Sequence, residues 1–156
     1  MNNEFVAITN ATELQEVNKL ETNAASLGLY TVQTHLEDAL RLMSLKPTPD
    51  LRNSIKESIS MVGSVARLLE PTDRLTKSLS LLSGKGLISE KLANKLKQIY
   101  NYTSDANGIR HELMDDPNLS LAEARYFLIT CSAFTNFLID IGSTNNLLQT
   151  QEPKTQ

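Results

Sequence analysis

One stretch limits the possible folds more than any other. Thr48-Pro49-Asp50 supplies a capping hydroxyl, a proline for a first helical turn and an acid at the positive end of a helix dipole. Behind it, Leu51, Ile55, Ile59, Val62, Val65, Ala66 and Leu69 recur at helical spacing until Pro71 stops the run. An apolar stripe of five turns must be buried against other elements, so this third helix, expected to be the longest, predicts a helical bundle. Arg52, Asn53, Lys56, Glu57 and Ser60 fall on its flank.

The remaining segments carry the same period. Asn10 and Glu13 read as a capping box for a first helix to Ser26, with Leu14, Val17, Leu20 and Ala24 inward. Gly28 separates it from a second helix through His35, Leu36, Ala39, Leu40 and Met43, which ends before Pro47. Leu75, Leu79 and Leu82 mark a short fourth helix. It stops at Ser83-Gly84-Lys85-Gly86, a plain turn that lacks the spacing of a phosphate-binding loop. Ser89 caps a fifth helix with Leu92, Leu96 and Ile99 inward. Ser120 and Glu123 form a capping box for the last, which uses Ala124, Phe127, Leu128, Cys131, Phe134, Leu138 and Ile141. No strand-period segment competes. The expectation is all-α: an antiparallel bundle of about six helices over residues 10–141, with a loosely held stretch at 1–9 and a disordered polar tail at 142–156.

Composition narrows the chemistry. Aromatic residues are 5 % of the 156 and Trp is absent, so the core is aliphatic. A single cysteine, Cys131, allows no internal disulfide framework and points to a reducing, cytoplasmic setting. There is no export signal, and no apolar run is expected to span a bilayer, so no membrane partner is expected. No His/Cys cluster or carboxylate pair has metal-ligand spacing, so neither metal nor cofactor is expected. The net charge of −3 argues against indiscriminate nucleic-acid binding. A basic surface would require Lys and Arg to cluster in space. His35 reads as a boundary histidine, and Cys131 as a small hydrophobe on an apolar face.

Residues 102–111, Tyr-Thr-Ser-Asp-Ala-Asn-Gly-Ile-Arg-His, are different: they have no apolar period. They hold a carboxylate, a glycine, a guanidinium suited to phosphate and an imidazole able to move a proton near neutral pH. Arg110 and His111 could serve RNA cleavage, His moving a proton and Arg stabilising the charged phosphorane. Alternatively, Arg110 pairs with Asp105 or Glu57 and locks the loop onto the third helix. Arg52 and Lys56 stand one turn apart, which favours an anion between them or leaves a solvated flank countered by Glu57.

The segments 49–60 and 102–111, together with Cys131-Ser132-Ala133-Phe134, resemble the C-terminal helical domain of AbiJ-type abortive-infection proteins, a HEPN-like bundle. The resemblance covers roughly residues 29–141. It implies antiphage defence in the bacterial cytoplasm, a homodimer, a fused or neighbouring defence protein and engagement of RNA, with metal-independent RNA cleavage in many HEPN domains. Arg110, His111, Asp105 and Glu57 would then be catalytic, and Arg52, Asn53, Lys56 and Ser104 would contact phosphate. The chain departs from the HEPN nuclease motif, an Arg followed by His after four to six residues. Met114, Asp115 and Asp116 occupy those positions after Arg110, and His111 is adjacent to it. The other role open to such a domain is non-catalytic assembly or sensing, with the Asp/Glu/Arg/His cluster structural.

Overall fold

The computed structural model describes residues 11–101 and 119–148, all-helical apart from short connections. In chain order the helices are α1 (Ala11–Ser26), α2 (Tyr30–Met43), α3 (Leu51–Leu69), α4 (Leu75–Gly84), α5 (Glu90–Asn101) and α6 (Leu121–Thr144). No strand occurs among the described residues. The most extensive packing is of α3 against α2 and α6. α1 lies on α6 and α2, and α4 joins α5 to α3. The chain is therefore an all-α bundle with α3 at its centre, although α6 with 24 residues, not α3 with 19, is the longest helix.

α3 starts two residues later than its sequence signal suggested. The cap is Asp50, not Thr48: its carboxylate accepts from Asn53 N at 3.1 Å, and Pro49 lies ahead of the first turn. Six of the seven stripe residues are buried and Leu51 is half-buried. Burial also exceeds the stripe, since every residue from 61 to 66 is buried, including Gly63 and Ser64. A helix held between two others has no free face, so its polar side chains need internal partners. Ser58 Oγ donates to Ser54 O at 3.0 Å and Ser64 Oγ to Ser60 O at 2.9 Å, each one turn back. Ser54 Oγ instead crosses to Ala39 O of α2 at 2.7 Å.

Contact order fixes directions. Ala39 meets Ser54 while Leu42 O accepts from Asp50 N at 2.9 Å, so α2 and α3 are antiparallel. α1 and α6 run parallel, because Glu16 meets Asn136 and Lys19 meets Asp140. That pair, distant in sequence, is parallel, whereas the consecutive α2 and α3 are antiparallel as expected. The fully buried Asn136 makes the tie, donating to Glu16 O and Glu16 Oε2 at 2.9 Å each.

Three further expectations change. Of the residues expected inward on α5, Leu96 is buried, but Leu92 is 38 % exposed and Ala93 is buried in its place. α5 packs chiefly on α4, so only a narrow strip of it needs covering. The stretch expected to be tail is packed from residue 142 as far as Leu148: α6 continues to Thr144, Leu147 N donates to Gly142 O at 2.8 Å, and Leu147 and Leu148 pack on the core. Finally, α6 is long and apolar enough to cross a membrane by length and composition, contrary to expectation. More than half of that stretch is buried inside the bundle, as for a core helix. The expected Asn10 cap, residues 1–9 and the tail from 149 lie outside the described residues.

At Gly142 a β-carbon would meet Leu69 Cδ2 at 2.5 Å and Leu148 Cγ at 2.7 Å. Gly142→Ala should therefore cost roughly 1–3 kcal/mol of overpacking, offset by about 0.5–1 kcal/mol of helix preference. Thermal unfolding should show a fall of a few degrees, and a smaller one in a Leu148→Ala background. Strict additivity of the two substitutions would refute the close approach.

Candidate functional site

Four of the candidate residues, Ser104, Asp105, Arg110 and His111, lie outside the described residues. The other four are on the first two turns of α3, and the structure gives them separate environments. Asn53 serves the helix cap, its Nδ2 donating to Asp50 Oδ2 at 2.7 Å. Lys56 is exposed and Arg52 half-buried. Glu57 is engaged from α2: its Oε2 lies 2.5 Å from His35 Nδ1, with the two side chains 26 % and 24 % exposed.

The antiparallel α2–α3 pairing produces that contact. Ala39 faces Ser54, and one turn along, the same register sets His35 opposite Glu57. A carboxylate accepts, so Nδ1–H donates to it and fixes the ring. The imidazole then keeps its second nitrogen, Nε2, for another partner. The contact can clamp two helices or orient an acid–base group. His35 does sit at a boundary, as its sequence suggested. Its partner was hidden because nothing local links positions 22 residues apart.

A second polar junction lies at the other end of α3. Glu70 is buried and pairs with Lys85, which closes α4, while its carbonyl accepts from Ser78 Oγ at 2.7 Å. Ser78 in turn meets Thr72 Oγ1 at 2.7 Å. The turn at Gly84–Gly86 thus has an anchoring role, with Gly86 at φ 72°. Cys131 is buried on α6, and desolvation pushes its thiol from 9.0 up to about 12. Among the described residues, no group of three His, Cys, Asp or Glu side chains could hold a metal ion.

Comparison with protein-family models, curated proteins and solved structures finds no match for this chain.

If the His35–Glu57 contact clamps α2 to α3, His35→Ala should destabilise the fold by roughly 1–2 kcal/mol. Urea unfolding of His35→Ala, Glu57→Gln and the double variant should give a coupling energy above about 0.5 kcal/mol. Independent effects would show that the contact contributes nothing. Burial of Cys131 makes a further expectation. Iodoacetamide should modify it only once the chain is unfolded. Because burial raises its folded-state pKa, its contribution to stability is complete below pH 9.0 and declines as pH rises toward about 12. Rapid alkylation of the native chain at pH 8 would contradict this.

Proposed function

We propose that this chain is a non-catalytic sensing module of bacterial abortive-infection defence. The defence setting, the cytoplasmic location, the homodimer and the neighbouring defence protein come from the AbiJ-type, HEPN-like resemblance. The choice of a sensing role over RNA cleavage rests on Glu57. The cleavage reading asks this carboxylate to orient Arg110 and His111. A half-buried contact with His35 at 2.5 Å already engages it in joining α2 to α3. Asn53 is likewise occupied by the cap of α3. These contacts support the reading in which polar groups on α3 hold the bundle together. The departure of Arg110 and His111 from the HEPN nuclease spacing points the same way.

The purified chain should leave single-stranded and structured RNA intact, with or without added divalent cations. Arg110→Ala and His111→Ala should retain whatever protection the wild type gives a bacterial host against phage. Cleavage by the wild type that disappears in His111→Ala would overturn the reading.

A further inference from the structure

Charge is unevenly distributed. Residues 73–101, which form α4, α5 and their connection, contain six Lys or Arg and two acidic residues, net +4 in a chain of net −3. On α5, Lys91, Lys95 and Lys97 have no carboxylate partner among the described residues. Lys91 and Lys95 are one turn apart, where like charges repel, so local helix stability does not account for them.

The surface between α4 and α5 is concave. One groove of 410 Å³ is lined by Arg74, Thr76, Lys77, Ser80, Lys97 and Asp73. The next, of 650 Å³, shares Ser80 and Lys97 and continues past Ser83, Asn94 and Glu90. Together they make a trough of mixed polar and apolar lining along the seam, with Lys97 at the join. Asp73 offsets part of the charge, lying 3.6 Å from Arg74 and 3.8 Å from Lys77. On the other side of α5, Lys95 and Gln98 border an apolar hollow with Tyr126 and Phe127 of α6. The Tyr126 ring is held edge-on to Phe127 at 5.7 Å, yet the residue is 60 % exposed.

We propose that this α4–α5 surface binds single-stranded nucleic acid. Lysines and hydroxyls in a trough suit a phosphate backbone, and an exposed ring on the other side of the same helix offers a base a stacking platform. An anionic membrane is the weaker fit: Leu81 and Leu92 are the only exposed large apolar side chains on α4 and α5. The inference gives the sensing module a ligand class. It also moves the phosphate contacts from Arg52 and Lys56 on α3 to Lys77, Lys95 and Lys97.

Fluorescence anisotropy of the full chain with labelled 15-nucleotide single-stranded RNA, single-stranded DNA and a duplex, each across a salt series, tests the idea. Both single strands should bind better than the duplex, and the RNA and DNA arms show which sugar is preferred. Each lost phosphate contact should reduce the salt slope by about 0.7. Lys77→Glu/Lys97→Glu should weaken binding at least tenfold, and Tyr126→Ala about fivefold or more, consistent with the loss of one stacked base, ~1–3 kcal/mol. Lys56→Glu should bind like the wild type. Lys77→Ala/Lys97→Ala, with a wild-type melting curve, should show the same loss if charge reversal impairs folding. No binding at 50 mM salt, a preference for duplex, or sensitivity to Lys56→Glu but not to the seam variants would overturn the proposal. Failure here leaves a non-catalytic module with another ligand. RNA cleavage lost in His111→Ala would overturn the sensing role and leave the binding surface standing.

Discussion

Enclosure of α3 is the constraint on which the bundle depends. Between Met61 and Ala66 the helix has no solvent-facing side, because α2 covers one flank and α6 another. Full burial of side chains such as Ile55, Met61 and Val65 is worth roughly 1.5–3 kcal/mol each. Enclosure also excludes charge and requires every hydroxyl to have a partner. The residues used are small ones that bond locally: Ser58 and Ser64 back to their own helix, Ser54 across to α2. Small side chains let helix axes approach closely, and the same device recurs at Ala39 and Gly142. Where the pattern is incomplete the exceptions are on α6: Ser132 Oγ and Asn136 Oδ1 lack hydrogen-bond partners among the described residues.

What could be read in the sequence was local or periodic. The Ser120–Glu123 capping box forms with both reciprocal bonds, at 3.2 and 2.8 Å, because its geometry is contained in four residues. The α3 stripe is buried as its spacing requires. What was not legible depends on the partner of each face. Leu92 and Leu96 have equal claims on sequence, and only the placement of α5 beside α4 leaves one exposed and the other buried. Glu16 with Asn136, and His35 with Glu57, meet across helices whose relative direction is not written in either. Leu147 and Leu148 sit in a polar, Gln- and Thr-rich neighbourhood, so composition hid the fact that they cover Gly142 and the end of α3.

The candidate site was legible as residue types and not as an arrangement. Four of its members lie outside the described residues, and the four on α3 are divided among a cap, a helix–helix contact and the surface. Glu57 illustrates why. A carboxylate on a helix flank looks available to any cation, but antiparallel register offers it a histidine before any loop is considered. Side chains chosen by tertiary pairing cannot be assigned from chemistry alone.

Stability and surface chemistry are carried by different parts of the chain. α1, α2, α3 and α6 share the main core, whereas α4 and α5 form a smaller pair joined to it mainly through the end of α3. Glu70 is the hinge of that junction: buried, ion-paired to Lys85 and accepting from Ser78. The pair adds Leu75, Leu79, Leu82, Ala93 and Leu96 to the core and leaves its cations on the outer side. Its lysines therefore need an explanation other than packing. Net positive charge gathered on this pair, in an otherwise acidic chain, creates a local field that favours anions while the overall charge keeps the protein from binding them indiscriminately. Such a division gives selectivity by geometry: an anion gains affinity only if it is long and flexible enough to follow the trough beside Lys97.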